Sequence, residues 1–213
     1  PDTELGDNFV ICIDPVTGQG SQTIDATPAT SGNYSYVWTP ANPNGNSPFY
    51  NINAPGIYTV EVTNLDTSCS FTDSVETTFS SEPASVSAEL LTPAFSTGLT
   101  SIQATAIGGF GVYEYSINGI DWQPSPIFDN LPNGSYTIYV RDILGCGLLL
   151  TNTIKTITYP NYFTPNNDGY NDRWNIDLPE DYNGIISIYD RYGKLMKQMS
   201  AYGMGWDGTY NGQ

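Results

Sequence analysis

Polar and apolar residues alternate along short stretches of this chain. Ile102, Ala104 and Ala106 are interleaved with Gln103 and Thr105. Tyr136, Ile138 and Val140 are interleaved with Thr137, Tyr139 and Arg141. A period of two puts one set on a buried face and the other on a wet one, which predicts β-strands. Turns carrying Pro and Gly, Ala54-Pro55-Gly56 and Pro132-Asn133-Gly134, precede the last long strands. Ile186 and Ile188 alternate with Ser187 and Tyr189. The chain then turns at Asp190-Arg191-Tyr192-Gly193 and returns as Lys194-Leu195-Met196-Lys197, which predicts a β-hairpin.

The pattern occurs twice. GNYSYVW at 32–38 matches GVYEYSI at 111–117, and TIDAT at 23–27 matches SIQAT at 101–105. APGIYTVEVTNLDTSC at 54–69 matches PNGSYTIYVRDILGC at 132–146. All three pairs keep one order at offsets of 77–79, so two copies of one module are expected. Six or seven short strands in roughly 75 residues suggest an immunoglobulin-like β-sandwich, with Trp38 as the core aromatic of the first. The expected division is 1–81, 82–157 and 158–213, with the first junction at Ser80-Ser81-Glu82-Pro83.

Composition agrees with an all-β chain. Charged residues make up only 13%, and Tyr alone supplies 16 of the 213 residues. The strong helix formers are scarce. The formal charge of −16 makes nucleic acid and anionic membranes poor partners. Residues 1–140 hold 14 acids and no Lys or Arg, while all 6 bases lie from Arg141 onward. The last module is therefore different in kind. No apolar run of about 18 residues suits a transmembrane helix. The chain opens Pro1-Asp2-Thr3-Glu4 without Met and closes Asn211-Gly212-Gln213, so a piece of a longer protein is expected.

The chain has no His, which excludes Ser-His-Asp and Cys-His nucleophiles and His-ligated zinc. Cys12 and Cys69 fall in one module, which predicts a disulfide between them closing a loop of more than 50 residues. Cys146 is then an unpaired thiol or pairs outside this chain. Gly108-Gly109-Phe110-Gly111 leads into no helix and is expected to be a hairpin turn rather than a phosphate cradle. A pair of the 22 carboxylates would suffice for a glycosidase, but small sandwiches seldom supply a deep cleft, so no catalysis is expected. Tyr113, Tyr115 and Trp122 are candidates for stacking on a glycan. Asn166, Asp168 and Asp172, around Gly169, copy the middle of a calcium loop. Position 164 is Thr, however, and no bidentate Glu follows. The alternative is a turn capped by its own Asn and Asp side chains, with no cofactor.

Three ordered motifs carry a resemblance. The first is Tyr162-Phe163-Thr164-Pro165-Asn166-Asn167-Asp168-Gly169-Tyr170-Asn171-Asp172-Arg173-Trp174. The second is Ile186-Ser187-Ile188-Tyr189-Asp190-Arg191-Tyr192-Gly193-Lys194-Leu195. The third is Trp206-Asp207-Gly208-Thr209-Tyr210-Asn211-Gly212. Together they resemble the gliding-motility-associated C-terminal domain, the type B sorting domain of Bacteroidetes type IX secretion. The two preceding modules resemble Ig-like repeats of surface adhesins in the same bacteria. The resemblance implies cargo for the outer-membrane translocon and its shuttle or anchoring proteins, delivered to the cell surface or the medium. Its sorting residues would be Phe163, Thr164, Pro165, Asn166, Asp168, Gly169, Asn171, Asp172, Asp190, Arg191, Gly193, Trp206, Asp207 and Gly208. The family pattern continues with closing strands beyond its NG motif, and this sequence stops short of them, so an exposed sheet edge is expected. The alternative role is a glycan- or protein-binding adhesin module.

Overall fold

The computed structural model describes residues 3–92, 95–96, 99–176, 178 and 184–210. Seventeen strands and no helix occur among them. The chain forms two compact units. The first comprises Pro1–Ser85, Ala106–Tyr113 and Arg141–Leu149. The second comprises Val86–Thr105, Glu114–Val140 and Leu150–Gln213. The sequence repeat thus does not coincide with the units, because three segments of the second copy, 82–85, 106–113 and 141–149, belong to the first unit.

The first repeat contributes β1 (Phe9–Cys12), β2 (Gln22–Asp25), β3 (Tyr34–Thr39), β4 (Phe49–Ile52), β5 (Gly56–Asn64) and β6 (Ser70–Ser80). One sheet has the order β1-β6-β5-β3 and the other is β2-β4. β1 runs parallel to β6, while β5 is antiparallel to both β6 and β3. A first strand lying parallel to the last, and sheets exchanging strands in Greek-key order, define the immunoglobulin-like sandwich expected from the pattern. The core is filled by alternate residues of both sheets, among them Ile24, Trp38, Tyr50, Ile52, Val60, Val62 and Val75. Trp38 is buried, packs its ring 5.2 Å from that of Tyr50 and donates its indole N–H to Ser47 O at 2.9 Å.

The second repeat contributes β7 (Ser85–Leu90), β8 (Phe95–Ser96), β9 (Thr100–Ile107), β10 (Tyr113–Ser116), β11 (Ile127–Leu131), β12 (Gly134–Tyr136), β13 (Tyr139–Asp142), β14 (Leu148–Leu150) and β15 (Ile154–Thr158). Its sheets are β11-β9-β7, β10-β13-β14 and β12-β15-β8. A parallel pair occurs here too, between β8, the second strand of this repeat, and its last strand β15. The alternation predicted on β9 and β13 is observed, with Ile102, Ala104, Ile138 and Val140 buried. Two corrections concern the loops. Gly108–Gly111 joins β9 to β10, strands of different sheets, and so is a crossover rather than a hairpin turn. Tyr115 is buried, so it offers no exposed stacking face.

The same tyrosine contact occurs in both repeats. Tyr58 donates its phenol to Ala54 O at 2.7 Å, and Tyr136 donates to Pro132 O at 2.9 Å. Each hydroxyl reaches four residues back across the turn before its strand, the tyrosine corner of such sandwiches. Burial pushes both phenols above their ordinary pKa.

The predicted Cys12–Cys69 disulfide is not formed. Cys12 is bonded to Cys146, with Cα atoms 5.2 Å apart, and Cys69 is a free, exposed thiol. The strand directions give the reason. Cys12 lies beside Ser80 at the end of β6, whereas Cys69 precedes Ser70 at its beginning. At about 3.3 Å per residue the two are roughly 36 Å apart. All of the residues around the real bridge belong to the first unit, where Gly109 N–H bonds Pro15 O at 3.2 Å and Gly18 packs against the Phe110 ring.

The bridge closes a loop of 134 residues. Chain-entropy reasoning assigns such a loop about 5 kcal/mol, an upper figure when strain intervenes. Replacing both Cys12 and Cys146 by Ser is expected to lower unfolding free energy by about 2–5 kcal/mol, with far-UV circular dichroism unchanged. Tyr58→Phe is expected to cost about 0.5–1.5 kcal/mol in the same denaturant titration, since it removes a single hydrogen bond and no ring.

Candidate functional site

The first motif is a loop organised by one carboxylate. Half-buried Asp172 accepts the backbone N–H groups of Asn166 at 3.1 Å and Asn167 at 2.5 Å on one oxygen, and Gly169 at 2.8 Å on the other. Asp168 accepts the Tyr170 N–H at 2.8 Å and the Asn166 side-chain amide at 2.8 Å. Asn166 Oδ1 in turn accepts the Asp168 N–H at 3.1 Å. Thr164 N–H closes the loop onto Asn171 O at 2.7 Å. Asn167, Gly169 and Asn171 all have positive φ, at 61°, 89° and 52°. Asn and Gly tolerate that conformation best, which explains the residue choice.

These bonds cap the turn with its own Asn and Asp side chains. Calcium requires six to eight oxygens, but both Asp172 oxygens already face amide hydrogens, whose positive ends would repel a cation. No group of three or more His, Cys, Asp or Glu suited to a metal occurs among the described residues. Asn166, Asp168 and Asp172 do come together, through hydrogen bonds within the loop.

The third motif docks onto the end of the first. Trp174 and Trp206 form an isolated antiparallel bridge, with N–H to O distances of 2.7 and 2.8 Å. Arg173 Nη1 reaches Gly205 O at 3.4 Å, and Asn175 Nδ2 reaches Gly203 O at 3.2 Å. Phe163 lies 5.7 Å from the Trp206 ring, and Gly208 sits against both Phe163 and Pro165. Gly205 has φ of +81°, and a Cβ there would approach Trp174 O to 2.8 Å. The Trp174 indole donates to Pro160 O at 2.9 Å, and that of Trp206 to Thr209 O at 2.8 Å. Asp207 accepts both the backbone N–H and the hydroxyl of Thr209.

The second motif is the predicted hairpin, β16 (Ile185–Tyr189) with β17 (Leu195–Ser200). Asp190 accepts the N–H groups of Tyr192 and Lys194, at 2.8 and 2.9 Å, and Gly193 supplies φ of +84°. Arg191 stands 5.4 Å over the Tyr192 ring. Lys194 Nζ lies 4.1 Å over the Tyr210 ring, which ties the second motif to the third. Ile188 shares a cavity of about 360 Å³ with Phe163, Trp174 and Trp206, so all three motifs meet there. Among the described residues β16 and β17 pair only with each other. Beside them Ile157, Tyr159, Trp174, Ile176, Ile186 and Ile188 line an open apolar groove of about 520 Å³. Asn211 and Gly212 of the third motif lie outside the described residues.

Sequence reasoning named the motif residues but missed Asn175, Gly203 and Gly205, which hold the first and third motifs together. The one signal available was the Gly pair flanking Met204 just before Trp206.

The Asp168 carboxyl is held below its ordinary pKa first by the Tyr170 N–H and next by the Asn166 side chain. That of Asp207 is held down first by the Thr209 hydroxyl and next by the Thr209 N–H. A carboxyl with a depressed folded pKa contributes fully above its unfolded value and loses that contribution as pH falls through the folded value. The loops are therefore intact at neutral pH and loosen in acid. In an NMR titration both carboxyls are expected to ionise with midpoints below the unperturbed value of about 3.9. The Tyr170 and Thr209 amides should shift with the same midpoints. A midpoint at or above the unperturbed value would contradict the caps.

No curated protein matches the chain. Among solved structures, it is similar to bovine butyrophilin, with 8% identity, a TM-score of 0.47, and coverage of 70% of this chain and 94% of that one. It is also similar to the N-terminal four Ig domains of Dscam1 isoform 1.9, at 14% identity and a TM-score of 0.38, covering 70% of this chain and 43% of that one. A third similarity is to a C-terminal 282-residue fragment of intimin in complex with the translocated intimin receptor's intimin-binding domain. There the identity is 15%, the TM-score 0.35, and the coverage 70% of this chain and 62% of that one. The chain thus spans less than two thirds of the Dscam1 and intimin chains. The site has its own match: residues 157–213, which carry the three converging motifs, match the family model described as the CHU_C type IX secretion signal domain.

Proposed function

We propose that this chain belongs to a protein exported to the cell surface or medium, with residues 157–213 read by the outer-membrane type IX translocon and its shuttle or anchoring proteins. The observation that carries this is the family match over the segment where all three motifs meet around Phe163, Trp174, Ile188 and Trp206. The two repeats serve as non-catalytic spacers, the alternative being a glycan- or protein-binding adhesin module of a gliding-motility surface protein. Their cores are closed by Trp38, Tyr58 and Tyr136, and they carry a disulfide suited to an oxidising compartment. The glycan-binding alternative is weakened because Tyr115 is buried and the Tyr113 hydroxyl donates to Gly108 O at 3.2 Å.

A fluorescent passenger with its own secretory signal, fused to the segment from residue 157 through the natural end of the protein, tests this in a type IX-competent cell. The passenger is expected at the surface or in the medium only when the translocon is intact. Asp172→Ala leaves three loop amides without their acceptor and is expected to cut export severalfold at equal expression. Retention of the unmutated fusion in the periplasm would refute the proposal.

A further inference from the structure

The repeat gives the three cysteines a rule. Cys146 lies in the turn between β13 and β14, which is closed by Asp142 N–H to Gly147 O at 3.1 Å. The corresponding turn of the first repeat is closed by Asn64 N–H to Cys69 O at 2.9 Å, so Cys69 is its final residue. The two cysteines are 77 residues apart, within the offset of the repeat. Cys12 ends β1 beside Ser80, where the chain leaves the first repeat. The observed bridge therefore joins the end of the first strand of one repeat to the penultimate-hairpin turn of the next.

Toward the C-terminus the rule is complete. β7 and β8 carry no cysteine, and residues 158–213 carry none to require one. Toward the N-terminus it has one unmatched half. Cys69 is exposed and unbonded, while Cys12 is already joined to Cys146. Cys69 also lies at the end of β6 opposite to Cys12, the end that faces away from the junction with the second repeat.

We propose that, in the exported protein, Cys69 is disulfide-bonded to a cysteine ending the first strand of another repeat of this kind, N-terminal to the first. The proposal rests on the export reading only for its oxidant, the disulfide of a thiol–disulfide oxidase. The Cys69 thiolate attacks that disulfide, forms a mixed disulfide and displaces one oxidase thiolate. The partner thiolate then attacks Cys69 Sγ and displaces the second. One S–S bond forms and one breaks, and the two protons and two electrons lost by the cysteines leave the oxidase as a dithiol. The repeats become a covalently stapled series in which each bridge spans a junction.

The test is mass spectrometry of the full-length protein purified from its native cells, alkylated before unfolding and digested without reductant. Trypsin has no site before Arg141, so Asp-N is the protease, giving peptides 7–13, 66–72 and 142–167. The 66–72 peptide is expected joined to a peptide absent from residues 1–213, and Cys69→Ser is expected to leave that partner alkylated. Peptide 7–13 joined to 142–167 reports the oxidising environment in the same sample. If that pair is joined while Cys69 is alkylated, or is bonded to Cys69 of a second copy, this proposal falls and the export reading stands. If all three cysteines are alkylated, both fall.

Discussion

The chain depends on short acceptor side chains that close its turns. Its strands run from two to eleven residues, so a large share of the backbone lies where no ladder partner is available. Those amides must still be satisfied. Asp14 takes the N–H groups of Val16 and Thr17, Asn64 those of Asp66 and Thr67, and Asn118 those of Ile120 and Asp121. Asp142, Asp172 and Asp190 continue the series. A carboxylate or amide two to four bonds from its own backbone reaches these groups at little entropic cost. The abundance of Asn, Asp and Thr thus follows from the architecture, and part of the acidic charge is tied to turns.

The sandwiches were legible because a half-buried strand imposes period two, and each turn writes its geometry into Gly, Pro and Asn. Trp38 and the Ile102–Ala104 alternation could be placed from that alone. The sorting loop was legible for a related reason: Asp172 caps amides only three to six residues away, so its whole network lies within one motif. What escaped was everything that needs strand order. Cys12 and Cys69 share a module in sequence, yet the parallel placement of β1 on β6 sets them at opposite ends. Tyr115, a candidate stacking aromatic by sequence, is buried. The Trp174–Trp206 bridge spans 32 positions and rests on backbone atoms, which leave no residue-type signature.

The sorting segment holds itself together differently from the repeats. The repeats have buried cores and a disulfide. Among its described residues the segment has a two-stranded hairpin, an isolated bridge and many turn caps. Such a hairpin is marginal alone, so each local contact carries a larger share of its order. This gives the basic residues a role beyond net charge. Lys194 over Tyr210 is worth about 0.5–1 kcal/mol at an exposed site, and here it links the second motif to the third. Arg173 to Gly205 O serves the joint between first and third motifs in the same way.

The motif residues then divide by direction. Asp172, Asp190 and Asp207 spend their oxygens on their own turns, and Phe163 and Trp206 face each other. Tyr170, Arg191 and Tyr192 point outward, with Tyr192 83% exposed. On the export reading, a receptor would meet the second group, while the first fixes the spacing at which it is met. Substitutions in the two groups would fail differently. Loss of an inward carboxylate would disorder the surface, whereas loss of an outward ring would leave the fold intact and remove a contact. On that reading the acidic caps would act as positioning residues, and the exposed aromatic and Arg side chains would be the chemistry that a partner grips.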